Sequence, residues 1–280
     1  MNIFQSGRPA SGSVVRTLII INVVAYVLLL LASEYAGDQP LNLFALHNWL
    51  SPDFKPWQII THLFLHSTGG VFHLFFNMLA LWMFGTALEQ NWGSKRFVYY
   101  YFACGIGAAL VHNTVVGFQL QPMISAADIY LSNPSYTLFE QFISNHLPGS
   151  YDNVQINEFL VAWYNDRMNP GYISQSQSFV NEVVEFRTNI PTVGASGAVY
   201  GLLLAFGMIF PNAMIMMLIP PIPMKAKYFV MVYGLIELSM GIRNNIEDNV
   251  AHFAHLGGMV FGILIILYYR KLDRNKHRIF

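Results

Sequence analysis

The chain is short of charge. Only 11% of its 280 residues are Asp, Glu, Lys or Arg, against roughly 25% in an ordinary soluble domain. A large core cannot absorb that deficit, because a chain of this size must still cover its surface with polar groups. Hydrophobic residues make up 54% and mean hydropathy is +0.41, so the class indicated is an integral membrane protein with the lipid bilayer as its solvent. Neither sign of charge is in excess. Fifteen basic residues balance fifteen acidic ones, which leaves no case for a nucleic-acid partner. Cysteine is nearly missing: Cys104 alone excludes an internal disulfide framework and reads as a small buried hydrophobe. No H-E-x-x-H occurs, which disfavours an intramembrane metalloprotease. No cofactor or metal is expected.

What is present is a set of apolar runs. Crossing about 30 Å of hydrocarbon takes roughly 17 to 25 residues, and six segments qualify, at about 17–33, 70–88, 97–116, 194–210, 228–242 and 250–269. The fourth and fifth are short, and the fourth stops at Pro211-Asn212. The first follows Arg8 and Arg16 and has the outline of a secretory signal, but removing it breaks the charge pattern, so it reads as a retained helix. Lys and Arg set the orientation. Eleven of the fifteen basic residues fall in the N-tail, the 2–3 turn, the 4–5 loop and the C-tail, which predicts cytoplasmic termini. The predicted layout is an all-α, six-helix bundle over 17–270, with a cytoplasmic N-tail at 1–16 and a basic cytoplasmic C-tail at 271–280. Residues 117–192 interrupt it as a polar, partly helical, non-cytoplasmic insertion. There seven acidic residues face Arg167 and Arg187, and apolar residues recur around Leu138, Phe142 and Leu147, then Phe159, Leu160 and Trp163.

Polar residues inside the spans cluster by depth. Spans two, four and six all descend from the outer side, and His73, Ser196 and His255 lie near their starts, within roughly 10 Å of the outer boundary at 1.5 Å per residue. Residues four apart share a helix face, which pairs His73 with Asn77 and Ser196 with Tyr200. His255 shares a face with Gly258 and Gly262, and Gly197, Gly201 and Ala205 form a row on span four. Small residues at such spacing let helices approach closely in lipid. A serine hydroxyl needs a neighbouring base to act as a nucleophile, and His255 is the candidate. No Asp or Glu is expected at matching depth on a neighbouring descending helix, so the expectation is a Ser196–His255 dyad, with Tyr200 supporting the imidazole. His73, Asn77 and the Ser196 backbone N–H are the candidate oxyanion donors. The bland alternatives are an N-cap for Ser196 and interhelical hydrogen bonds for the histidines and Asn77.

These motifs resemble the rhomboid intramembrane serine proteases over residues 57–110 and 191–269. Trp57-Gln58, Thr61-His62, His66, His73-x3-Asn77, Gly85-Thr-Ala-Leu-Glu89, Gly194-x-Ser196-Gly197-x2-Tyr200 and Ala254-His255-x2-Gly258-x3-Gly262 occur in family order. The resemblance implies Ser196 as nucleophile, His255 as base, and His73 with Asn77 as oxyanion donors. It also implies that Tyr200 packs on His255 and that Glu89 anchors the inner end of span two. Gln58 stands where the family commonly has arginine, and the insertion lies outside the shared core. His62 and His66, four apart, read as structural groups in the first loop rather than metal ligands. His252 competes with His255 as base, but the glycine register favours His255. Glu237 is an intramembrane acid to which no catalytic role is assigned.

The function expected is a serine endopeptidase that cleaves transmembrane segments of membrane proteins, in a bacterial inner membrane. The alternative is a non-catalytic, rhomboid-like protein that binds client transmembrane helices; the presence of both Ser196 and His255 discriminates against it. A transporter would expect polar sites at the midplane on broken helices. The sequence is silent on oligomeric state and on the natural substrate.

Overall fold

A computed structural model describes residues 13–147, 153–216, 221–243 and 250–276. Arg8, Asp152 and Arg278, with most of the expected N-tail and part of the C-tail, lie outside the described residues. The chain divides into two compact units, one formed by Met1–His47, Phe54–Thr114 and Pro191–Phe280, the other by Asn48–Asp53 and Val115–Ile190.

The first unit is helical. Helix α1 (Val14–Ala36) is followed by short helices α2 (Gln39–Phe44) and α3 (Gln58–Thr61) and a 3-10 turn at His62–Phe64. Helix α4 (Val71–Ala80) passes through a π turn at Leu81–Gly85 into α5 (Thr86–Trp92), making one apolar rod of 22 residues. Helix α6 (Ser94–Ser132) begins in this unit and runs into the second. Among the described residues, four helices are long and apolar enough to cross a membrane: Val14–Ala36, Val71–Trp92, Ser94–Ser132 and His252–Arg274. Their outer faces carry large apolar residues in the open. On α1 these include Ile20, Val24, Leu28 and Leu31, a belt that water would penalise and hydrocarbon would not.

The sequence was also expected to give spans at 194–210 and 228–242. These are α10 (Ser196–Ile209) and α11 (Ala226–Arg243). Helix α10 is about 21 Å long at 1.5 Å per residue, shorter than the hydrocarbon layer. Helix α11 carries Lys227, Glu237 and Arg243. Burial explains why so short a helix is apolar all round. Ten of the 14 residues of α10 are buried, and it packs against α4, α5, α11 and α12 (His252–Lys276). It is the central helix of the unit. Between α10 and α11 two three-residue strands, β1 (Met214–Met216) and β2 (Pro223–Lys225), pair antiparallel with Ile215 opposite Met224. Strands this short leave no periodicity to read.

The second unit has its own core. The C-terminal part of α6, α7 (Tyr136–His146), α8 (Val154–Asn165) and α9 (Pro170–Thr188) bury Met123, Tyr130, Phe139, Phe142, Leu160, Trp163 and Val180 against one another. Each added helix opens on a side-chain cap: Ser135 for α7, Asn153 for α8, and Asn169 followed by Pro170 for α9. The second unit takes over at Val115, close to the expected 117, but the helix does not end there. Helix α6 continues to Ser132 with Pro122 inside it and ends before Asn133-Pro134.

Candidate active site

The site forms where three helices begin. His73 is the third residue of α4, Ser196 the first of α10 and His255 the fourth of α12. The approach to Ser196 is fixed by backbone bonds. Leu46 and Thr192 exchange both hydrogen bonds of an isolated bridge, at 2.9 and 2.8 Å, and Gly194 N–H donates to the carbonyl of His62 at 3.0 Å. Gly194 has φ +124, and a Cβ there would stand 3.0 Å from the His73 ring and 3.6 Å from Ser196 Oγ. Glycine is required twice over, for its backbone angle and for lack of room.

Close packing of α10 on α12 then brings the reactive groups into register. A Cβ on Gly258 would overlap the carbonyl oxygen of Gly197, and one on Gly201 would meet Cys104 Sγ at 2.6 Å. A Cβ on Gly262 would collide with the Tyr100 hydroxyl, which donates to the carbonyl of Gly201 at 2.7 Å. With the helices this close, His255 Nε2 lies 2.9 Å from Ser196 Oγ. The Tyr200 ring stacks on the His255 ring with centroids 4.1 Å apart and 8° between planes. A small crevice beside Ser196 is lined by His62, His112, Thr192, Gly194 and Ala254.

Asn77 is buried and donates through Nδ2 to the carbonyl of its own helix neighbour His73 at 2.8 Å. An amide has two N–H bonds, so one remains for another acceptor. The half-buried His73 ring sits edge-on to the fully buried His66 ring at 5.2 Å between centroids.

Glu237 departs from expectation. No acid was expected on a neighbouring descending helix, and Glu237, only about 8 Å deep by residue count, was given no role, yet the buried Glu237 of α11 reaches the same group. Its Oε2 is 2.6 Å from His252 Nδ1 and 2.9 Å from His255 Nδ1, and its Oε1 accepts from the Tyr200 hydroxyl. The expectation sought a partner for His255 only on descending helices. Glu237 lies six residues before the end of α11 at Arg243. The spacing of His252 and His255, three apart and so on one face, was a readable signal that one acid could serve both.

Glu237, His252 and His255 offer three ligand atoms within 4.8 Å of one another, the donor types of a zinc site. Tetrahedral zinc with bonds of about 2.0–2.1 Å holds its ligand atoms about 3.3 Å apart. The 2.6 and 2.9 Å separations here are shorter than such a shell requires, and the first is a hydrogen bond.

The loop behind the site is held by neutral groups. Gln58 is fully buried; its Oε1 accepts from His47 N and Lys55 N, and its Nε2 donates to the carbonyls of Asn42 and Leu43. His62 Nδ1 lies 2.7 Å from the carbonyl of Gln58. Burial pulls His62 down to about 4 against the help of that backbone bond, and burial with the neighbouring His73 pulls His66 down to about 4. At the other end of the unit Glu89 accepts from Ser13 Oγ, Ser94 Oγ and the backbone N–H groups of Val14 and Val15.

A helical membrane bundle with a serine and an imidazole in contact at its helix starts defines a class, and sequence comparison gives the family. The Rhomboid domain matches residues 53–126 and 167–272, well over half of the chain, and the protein belongs to the rhomboid family. It is an integral membrane protein. Among its relatives is the rhomboid protease GluP of Bacillus subtilis (strain 168), 34% identical over 125 residues, which are 44% of this chain and 23% of the relative. The rhomboid proteases GlpG of Salmonella choleraesuis (strain SC-B67) and Salmonella newport (strain SL254) are each 32% identical over 81 residues, 27% of both chains. The chain thus spans about a quarter of the length of these curated relatives.

Proposed function

We propose that this protein is an intramembrane serine endopeptidase in which Ser196 is the nucleophile and His255 the base. One observation carries the reading: the 2.9 Å approach of His255 Nε2 to Ser196 Oγ, within the reach a nucleophile and its base need. The names of the relatives support a protease, and the family supports membrane-protein substrates.

In the proposed reaction Ser196 Oγ attacks the scissile carbonyl as its proton moves to His255 Nε2. The resulting oxyanion is received by the His73 ring N–H, the second N–H of Asn77 and the backbone N–H of Ser196, which the opening turn of α10 leaves without an intrahelical acceptor. His255 then delivers the proton to the departing amine. Water hydrolyses the acyl-enzyme by the reverse proton path. The stacked Tyr200 ring limits rotation of the imidazole. A helical substrate must unwind to present its peptide bond, so Gly or Pro near the cut favours cleavage.

The six-span arrangement, cytoplasmic termini, non-cytoplasmic insertion and bacterial inner membrane belong to the same proposal. The charge pattern of the sequence and the position of the site at three helix starts support it. Ser196→Ala and His255→Ala are each expected to abolish cleavage of a transmembrane reporter at unchanged expression. Asn77→Ala is expected to lower kcat by about 10²–10³, the usual loss for one oxyanion donor. A fluorophosphonate should label the wild type and not Ser196→Ala. Normal cleavage by Ser196→Ala would favour the client-binding alternative or another nucleophile.

A further inference from the structure

We infer that Glu237 is the third member of the site, a positioning residue that fixes the proton of His255 on Nδ1 and so turns the dyad into a Ser196–His255–Glu237 relay. This inference rests on the proposed protease reading and deepens it.

The argument starts from what each carboxylate oxygen touches. Oε1 accepts from the Tyr200 hydroxyl, so that oxygen is committed. Oε2 faces two ring nitrogens, His252 Nδ1 at 2.6 Å and His255 Nδ1 at 2.9 Å. An ionised carboxylate accepts only, so hydrogens on those nitrogens belong on the Nδ1 positions. His255 Nδ1 is buried and has no aligned hydrogen-bond partner among the described residues. Its approach to Oε2 is close enough to bond but off the N–H line. Catalytic hydrogen bonds are often poorly aligned in a free enzyme and tighten when substrate binds. A small carboxylate rotation about the Tyr200 contact is all that alignment requires.

The consequence is a choice of tautomer. With hydrogen on Nδ1, the Nε2 lone pair faces Ser196 Oγ and can take its proton. With hydrogen on Nε2, the accepting lone pair lies on Nδ1 and none faces Ser196. In the reaction the Ser196 proton moves to Nε2, the ring becomes an imidazolium held beside a carboxylate, and the same proton leaves to the amine. Glu237 keeps its charge throughout. His252 shares the acid from the far side and holds it against α12.

The same contacts make an unusual prediction for the isosteric amide. In Glu237→Gln a Tyr200 hydroxyl that keeps donating, as it does to Oε1, takes the carbonyl oxygen as its acceptor. That turns the amide NH2 toward His255 Nδ1 and drives the ring hydrogen to Nε2, the unproductive position. A residue that only fills space predicts the opposite order, since Gln keeps the volume and Ala does not.

The test measures kcat and KM on a transmembrane reporter, with fluorophosphonate labelling rates, for wild type, Glu237→Gln, Glu237→Ala and Glu237→Asp in detergent. Expected are a fall in kcat of at least about 10²-fold for Gln with KM within about threefold, Gln no better than Ala, and partial recovery in Asp. Labelling rates should follow kcat, because they report Ser196 reactivity without substrate docking. Where a variant fails to fold, the remaining carboxyl or amide variant carries the comparison, and Tyr200→Phe with Glu237→Gln frees the amide to flip and should restore part of the rate. Gln more active than Ala, or kcat unchanged with only KM raised, overturns the inference while leaving the Ser196 and His255 results intact. Loss of the Ser196 requirement overturns the protease reading itself.

Discussion

At the residue scale, two side chains each hold several backbone groups at once. Gln58 spends both ends of its amide on the first loop, and Glu89 collects the opening N–H groups of α1 together with two serine hydroxyls. A neutral amide suits Gln58 because it both donates and accepts at a fully buried position, which a guanidinium cannot do. Gln58→Leu keeps most of the volume and removes its bonds from His47 N and Lys55 N and to the carbonyls of Asn42 and Leu43. Leaving a buried group such as His47 N unsatisfied costs about 1–3 kcal/mol, so the thermal midpoint in detergent should drop by several degrees. An unchanged midpoint would show that the loop is held elsewhere. The sequence named the residues of the site one by one, since serine, histidine and glycine at helical spacing are visible in it. Glu237 was visible as an acid near one end of a membrane segment, but its partners were not, because they depend on which face of α11 packs against α12.

At the element scale, the short α10 is the piece around which the others pack, and the spacing of its glycines explains how. Gly258 faces Gly197 and Gly201 so closely that a methyl group on Gly258 would occupy the place of the Gly197 carbonyl oxygen, while Gly262 faces Leu204 and the Tyr100 hydroxyl. Gly258→Ala therefore forces α10 and α12 apart, at a cost of about 1–3 kcal/mol or more for overpacking, and it lengthens the Ser196–His255 contact. Gly234→Ala makes the contrast: its Cβ would meet only the flexible end of Met259, at 3.3 Å. That change should be neutral or slightly stabilising, by up to about 1 kcal/mol for helix propensity. Melting and cleavage of the pair decide it; equal behaviour would contradict the close-approach argument. The small-residue rows were legible in the sequence. The extension of α6 to Ser132 was not, because polarity rises near residue 117 and Pro122 reads as a stop that the helix nevertheless carries. The caps at Ser135, Asn153 and Asn169 are ordinary start signals whose meaning depends on knowing that helices follow.

At the scale of the whole molecule, low charge announced a membrane protein and apolar runs announced helices, but nothing in its composition marked the short fourth run as the buried centre of its unit. The same burial produces a pH response. His62 and His66 stay neutral in the fold, each drawn down to about 4 chiefly by loss of water, whereas in the unfolded chain a histidine titrates near 6.5. As pH falls below about 6.5 the unfolded chain takes up protons that the fold refuses until about 4. Stability must therefore decline over that window, by up to about 1.4 kcal/mol per pH unit for each histidine, and is unaffected by them above it. His66→Phe retains a ring against His73 and removes two nitrogens that have no hydrogen-bond partner among the described residues. It should lessen the decline relative to the wild type between pH 6.5 and 4.5 while raising the midpoint at pH 7.5. Thermal unfolding of both proteins across that range measures the difference directly, free of the carboxylate titrations they share. If the two curves run parallel, His66 is not excluding its proton in the folded state, and the packing of the first loop against α4 is looser than its buried ring implies.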